Sequence, residues 1–278
     1  MTHPHKILRQ ARLVVVKLGT GMLSRKAGGL DPGQIQRLSR QIALLRRQKC
    51  RVVIVSSGAI SAGMSRLNLR QRPSHIADLQ ACAAVGQNLL MACYERAFAR
   101  WGITVAQILL THGDLQHRER RKNARHTILN LLQRNVVPII NENDAVSFAE
   151  IKFGDNDQLA AMVHELIHAD ACIILSNVDG FMVRQTWKHP TSNVQRLSRL
   201  GGDRASNILP KISKITAAIE RQAGDSDSHQ SVGGMRSKLI AARRVLATGR
   251  PMVIANGRVP NVLPRLLKGE PIGTIFLP

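Results

Sequence analysis

Lys17 closes the aliphatic run Leu13–Val16 and is followed at once by Leu18-Gly19-Thr20-Gly21. A lysine at the carboxyl end of a buried strand, beside two glycines that let backbone approach a ligand, needs an anion. Phosphate is the usual one, although a lysine so placed can also reach solvent. The spacing is not that of a P-loop, because GxxxxGK(S/T) occurs nowhere in the chain. A second aliphatic run, Arg51–Val55, ends in Ser56-Ser57-Gly58-Ala59 ahead of a helical pattern. That puts free backbone N–H groups and the positive end of a helix dipole where a carboxylate or phosphate could dock; an ordinary serine N-cap has the same pattern. Near the C-terminus, Gly233-Gly234-Met235-Arg236-Ser237-Lys238 leads into an amphipathic helix and forms a second candidate phosphate-facing turn.

Acidic residues are scarce, yet several gather in Asn141-Glu142-Asn143-Asp144-Ala145-Val146 and Gly154-Asp155-Asn156-Asp157. Either these are solvated loops, or some carboxylates hold a substrate ammonium while another fixes lysines or a magnesium ion by charge pairing. His164-Glu165-Leu166-Ile167-His168 satisfies HExxH, with His189 as a distant third ligand. The pattern reads more naturally as a half-exposed helical turn feeding the next strand than as a zinc site. The run His117–His126 (HRERRKNARH) reads as one solvated, arginine-rich helix face, with a polyanion as the secondary possibility.

The elements that must position these residues follow from hydrophobic period. Short aliphatic runs at Leu13–Lys17, Arg51–Val55, Thr104–Leu110, Val136–Ile140, Ala171–Ser176 and Met252–Ala255 predict strands. Helical patterns at Pro32–Gln48, Ile76–Arg100, Arg118–Arg134, Asp157–Ala169 and Gly234–Thr248 lie between them. This alternation predicts a three-layer α/β/α sandwich with a mostly parallel open sheet, whose ligands bind beyond the carboxyl ends of the strands. Nothing marks a boundary or a repeat, so residues 1–278 read as a single domain. The stretch Asp179–Val232 breaks the rhythm, with a possible helix at Lys211–Ala223 and a loop at Gly224–Gln230.

The chain has 278 residues, and its 40 Lys+Arg against 18 Asp+Glu give a formal charge of +22. At 44% hydrophobic it is not a disordered basic tail, and at 3% aromatic it is poorly equipped to stack bases, so nucleic acid is not an expected partner. No uninterrupted apolar stretch approaches the ~18 residues of a membrane span, and the first apolar run is cut by Lys17 before it could serve as a signal core. Cys50, Cys82, Cys93 and Cys172 are scattered without a CxxC pair and read as reduced core thiols. The expectation is a soluble cytoplasmic protein.

In order along the chain, the segments VVVKLGTG (Val14–Gly21), VVIVSSGAISAGM (Val52–Met64), AAVGQ (Ala83–Gln87), AQILLT (Ala106–Thr111), VVPIINENDAV (Val136–Val146), EIKFGDNDQLAA (Glu150–Ala161) and GGMRSKLIAA (Gly233–Ala242) resemble those of the glutamate 5-kinases. The likeness runs down to Gly273-Thr274-Ile275-Phe276, and NENDAV with GDND separates this family from other amino acid kinases. The resemblance implies the amino acid kinase fold without the C-terminal PUA domain found in many relatives. It implies transfer of phosphate from ATP, with Mg2+, to the γ-carboxylate of L-glutamate, the first step of proline biosynthesis. It also implies self-association and feedback inhibition by proline. A catalytically impaired glutamate- or proline-binding regulatory paralogue is the alternative. By matched position, Lys17 and Lys238 balance charge on the moving phosphoryl group, and Asp155 positions those lysines. Ser57, Gly58, Ala59, Asp144, Asn156 and Asp157 fall on substrate. Lys17, Gly19, Ser176, Asn177 and the stretch Val232, Gly233, Gly234, Met235, Arg236, Ser237 and Lys238 fall on nucleotide; no metal ligand is assigned. The departures lie on the nucleotide side. Ser231-Val232 stands where the family has Gly-Thr, Asn177 where it has aspartate, and Phe181-Met182-Val183 where it has Leu-Tyr-Thr, with no DPR following.

Overall fold

The computed structural model describes residues 4–25, 28–146, 156–183, 208–224 and 234–278. Its ten strands are β1 (Leu13–Leu18), β2 (Arg51–Ser56), β3 (Val105–Leu110), β4 (Val137–Glu142), β5 (Ala171–Ser176), β6 (Phe181–Met182), β7 (Ile208–Leu209), β8 (Lys211–Ile212), β9 (Met252–Asn256) and β10 (Thr274–Phe276). Eight form one sheet in the order β3-β4-β2-β1-β5-β9-β10-β8, and β6 pairs with β7 separately. Within the large sheet only the β9–β10 pairing is antiparallel. All six residues of β1 are buried, because helices cover both faces of the sheet and leave no need for alternation. Alternate positions along each strand enter opposite cores: Val15, Val53 and Ile174 enter one, and Val14, Ile54 and Ile173 the other.

The order places the site. From β1 the chain moves to β2 on one side and later, through the helix Asn156–Ile167, to β5 on the other. A crevice therefore opens past the carboxyl end of β1, where the strand order reverses. Gly19 N–H donates to Leu175 O (3.2 Å) and Ser57 N–H to Leu18 O (3.0 Å), which ties the ends of β5, β1 and β2 into one edge.

The six expected strands and five expected helices are present, and the three-layer α/β/α arrangement is as expected. Two readings need correction. The possible helix at Lys211–Ala223 begins as β8, and the helix itself spans Ala217–Gly224. Asn141 and Glu142, read as loop, continue β4, since β3 pairs Leu109 with Asn141 and Leu110 with Glu142. The loop expected at Gly224–Gln230 lies, beyond its first residue, outside the described residues.

The helix Ile76–Ala99 is long and apolar enough, by length and composition, to cross a membrane. It is nonetheless embedded in the fold: Leu90, Tyr94 and Phe98 are fully or almost fully buried in one core. At Gly86 it meets the helix Ala59–Arg66 backbone to backbone. A Cβ there would lie 1.8 Å from Ala59 O, and one at Gly63 1.8 Å from Cys82 O.

The HExxH segment forms the half-exposed turn expected and is not uniformly exposed: Glu165 is partly exposed and His168 exposed, while Leu166 and Ile167 are buried. His164 is fully buried, Glu165 is paired with Arg121 and Arg244 (3.0 Å each), and His168 lies past the helix end with φ 51°. Two imidazoles one turn apart on a helix face are thus not formed; His189 lies outside the described residues. The arginine run is not a uniformly solvated face either. Arg121 holds Glu165, and Arg125 donates to Leu166 O at 3.0 Å, so both fasten their helix, Arg118–Gln133, to its neighbour.

Burial pushes the His164 imidazole down to about 4. Its ordinary value in the unfolded chain is higher, so between those values only the unfolded state takes the proton. The stability held by neutral His164 is complete above about pH 6.5 and is lost as pH falls toward 4, to the extent of about 3 kcal/mol. Urea unfolding of wild type and His164→Leu at pH 7.0 and 4.5 checks this. The wild type should lose more stability than the variant, and equal losses would refute the assignment.

Candidate active site

Lys17 projects from β1, and Lys238 sits in the first turn of the helix Met235–Leu246. They converge on one carboxylate. Lys17 Nζ lies 2.6 Å from Asp157 Oδ1 and Lys238 Nζ 3.0 Å from Asp157 Oδ2, with Ser237 Oγ 3.4 Å from that second oxygen. Asp157 is fully buried, and the lysines are 6% and 5% exposed. Burial by itself would raise the Asp157 carboxyl, but the two ammonium groups outweigh it and hold the carboxyl below the usual carboxylate range. Among the described residues Asp157 is the carboxylate in contact with both lysines. Two buried ammonium groups gathered at a crevice favour an anion entering there.

Asn156, one residue earlier, serves a different group. Its Nδ2 donates to Ser57 Oγ (2.9 Å), Asn141 Oδ1 (3.1 Å) and Ser56 O (3.3 Å). Asn141 passes the chain on, its Nδ2 donating to Gln87 Oε1 at 2.9 Å. Behind the strand end, Ser56 Oγ and the buried Tyr94 hydroxyl are 2.8 Å apart, which fixes the turn into Ser57. Gly58 then takes φ 107°, a left-handed conformation that favours glycine, and starts the helix Ala59–Arg66 without a side-chain cap. The N–H groups of that first turn are left for a ligand.

Beside this turn lies a cavity of about 280 Å³ whose lining includes Ala59, Gln87, Asn88, Gln107, Glu142 and Asp144. His112 Nδ1 stands 3.4 Å from Glu142 Oε2. On the other side of the lysines, Gly19, Ser176 and Asn177 gather at the ends of β1 and β5. Ser176 Oγ donates to Asn177 Oδ1 (3.3 Å), and Ser176 O accepts from Gly257 N–H (2.9 Å). Asn256 Nδ2 donates to Asp179 Oδ1 (2.8 Å), and Arg258 reaches Gly21 O (3.2 Å). Gly234 caps the helix of Lys238 with backbone alone, Met235 and Ser237 are half-buried, and Arg236 is exposed.

Lys17, Lys238, Asp157 and Ser237 are thus brought into contact, as are Ser57 and Asn156, while Ala59 and Asp144 share the cavity. Asp155, Val232 and Gly233 lie outside the described residues. Among those described, the carboxylate touching both lysines is Asp157, which the sequence reading had placed on substrate. It stands inside the helix's first turn, on the side facing β1. Gln87, Asn141 and Glu142 were not singled out as site residues. Gln87 carried a signal: it follows Leu79, Cys82, Ala83 and Gly86 on the buried stripe of its helix, one amide among apolar neighbours.

An open α/β/α sheet with a buried Lys–Asp–Lys bridge at its switch point defines a protein that brings anions together in one crevice. Residues 12–256 match the Amino acid kinase family. The chain belongs to that family. Within it, the chain is 45% identical over 274 residues to glutamate 5-kinase of Desulfotalea psychrophila, covering 98% of this chain and 69% of the relative. It is 47% identical to glutamate 5-kinase of Ralstonia nicotianae, covering 96% and 68%. In fold it is similar to the UMP kinase of Bacillus anthracis, with a TM-score of 0.58, 15% identity and 96% of each chain covered.

Proposed function

We propose that this chain is a glutamate 5-kinase, transferring the γ-phosphoryl of ATP to the γ-carboxylate of L-glutamate in proline biosynthesis. The observation that carries this is the contact of both lysines with Asp157. A carboxylate is already ionised near neutral pH, so no base is needed to activate it. The difficulty is to hold two anions in line while charge spreads over the moving group, which makes positioning and fixed cations the main sources of rate. Lys17 and Lys238 supply those cations, and Asp157 keeps them aimed, the positioning role the resemblance gave Asp155. The bond from the substrate γ-carboxylate oxygen to phosphorus forms as the bond from phosphorus to the β,γ-bridging oxygen breaks, and ADP leaves.

Ser57 and Asn156, with the N–H groups at Gly58 and Ala59, receive the γ-carboxylate, while Asp144 pairs with the α-ammonium. Gly19, Ser176, Asn177 and the segment 232–238 receive ATP. Mg2+ enters with it as part of the substrate. Among the described residues no group of three His, Cys, Asp or Glu could hold a metal, and Asp157 is occupied by two lysines, so the ATP phosphates are its fitting ligands. Proline, which carries a carboxylate beside an ammonium, competes for the glutamate cavity in this reading. We place the protein in the cytoplasm, where its four free cysteines stay reduced, and expect it to self-associate. The test is release of ADP by the purified chain from ATP and Mg2+. It should depend on glutamate and yield equivalent hydroxylamine-trappable acyl phosphate; ADP release indifferent to glutamate would overturn the proposal.

A further inference from the structure

The glutamate cavity contains carboxylates for an ammonium group, but a second substrate charge must also be met. An amino acid whose side-chain carboxylate lies toward the lysines leaves its α-carboxylate in the cavity, beside Glu142 and Asp144. Among the described residues neither lysine nor arginine lines this space. The described side chains able to donate hydrogen bonds there are amides, and of these Asn88 and Gln107 are exposed and Asn143 is half-buried, while Gln87 is only 8% exposed. The orientation of Gln87 is not free. Asn141 Nδ2 donates to its Oε1, and Asn141 is itself oriented by Asn156 donating to its Oδ1. The Gln87 amide nitrogen must therefore occupy the other position, and there it is buried with no hydrogen-bond partner. An unmet buried donor is costly, and a ligand acceptor would recover that cost.

We infer that Gln87 is a specificity-determining residue whose Nε2 amide receives the α-carboxylate of the substrate, so that the relay Asn156–Asn141–Gln87 links the two ends of the amino acid. This rests on the glutamate-kinase reading. It also assigns the relay a sense: the asparagine beside the phosphoryl-transfer centre fixes the hydrogen-bond polarity at the far end of the cavity. A neutral α-amide, which can donate as well as accept, would not require the donor that Gln87 presents.

The test is Gln87→Glu, which keeps the oxygen that Asn141 needs and replaces only the donating NH2 by a charged oxygen. At pH 8, kcat/KM is measured for L-glutamate and for its α-amide, L-isoglutamine, together with the KM for ATP and the calorimetric Kd of glutamate. Glutamate should lose at least about 30-fold in kcat/KM and in affinity. Isoglutamine should fall less than about threefold or rise, with the KM for ATP unchanged. Equal losses for the two substrates, or none for glutamate, would overturn the inference. Should Gln87→Glu not fold, Gln87→Leu is measured in the same way, with selective loss of glutamate again expected. Wild-type protein that binds glutamate without phosphorylating it would remove the kinase reading alone, and the calorimetric comparison would still decide the role of Gln87.

Discussion

Asp157→Asn should lower turnover by about 10³-fold, the scale on which loss of a preorganised electrostatic element is felt. The side chain now pairs with both lysines through separate oxygens, 2.6 and 3.0 Å away. An asparagine turns one of those oxygens into an amide that confronts an ammonium group donor to donor, and it removes the one negative charge that the described residues place on both lysines. Taking that counter-charge from two buried cations should also cost about 3–5 kcal/mol of stability in the free protein. ATP would return part of that stability, since its phosphates supply the missing anion. The variant should therefore gain more in melting temperature on adding ATP than wild type does. Steady-state kinetics and melting curves with and without ATP check both parts. Turnover within tenfold of wild type would reduce Asp157 to a structural role.

The second large effect belongs to a residue that touches no reacting group. Gly86→Val should destabilise the protein by about 3 kcal/mol or more, because a Cβ at Gly86 would lie 1.8 Å from Ala59 O and 2.4 Å from Gly63 N. Backbone cannot yield as a flexible side chain can, so the helices Ala59–Arg66 and Ile76–Ala99 must separate. The first of these begins at the turn proposed to receive the γ-carboxylate, and the second carries Gln87. The KM for glutamate should rise more than tenfold while the KM for ATP changes little. Melting temperature and the two KM values together test this; a stable variant with ordinary glutamate affinity would show that the close approach is dispensable.

The fold was legible where burial is two-sided. Val14–Val16, Val52–Val55 and Ile173–Leu175 are continuous aliphatic runs because helices cover both faces of their strands. The strands that escaped notice, Phe181–Met182, Ile208–Leu209, Lys211–Ile212 and Thr274–Phe276, have two or three residues each and owe their conformation to a partner across the ladder, not to a pattern of their own. Ile208, Ile212, Ile215 and Ile219 recur at three- and four-residue spacing, so that stretch imitates a helix which begins only at Ala217.

The site divides along the same line. Lys17 and Lys238 declare themselves by standing at a strand end and a helix start beside glycines. Asp155 and Asp157 flank Asn156 in a sequence that does not tell that the Asp157 carboxylate turns inward, since that depends on where the helix begins. Asn141 and Glu142 look like loop because they are polar and follow an apolar run. Pairing with Leu109 and Leu110 extends the strand through them and makes them walls of a cavity.

The central claim is that an ionised γ-carboxylate, held opposite the lysine pair, attacks the terminal phosphorus of ATP directly. Tracing oxygen tests it. With glutamate carrying 18O in its γ-carboxylate, the acyl phosphate formed is cleaved by hydroxylamine at the carbonyl carbon, and the released phosphate is examined by phosphorus NMR. The account predicts one 18O in each phosphate so released. Phosphate without the label, alongside glutamate-dependent ADP, would mean that another nucleophile takes the phosphoryl group, and the mechanism built on Lys17, Lys238 and Asp157 would be wrong.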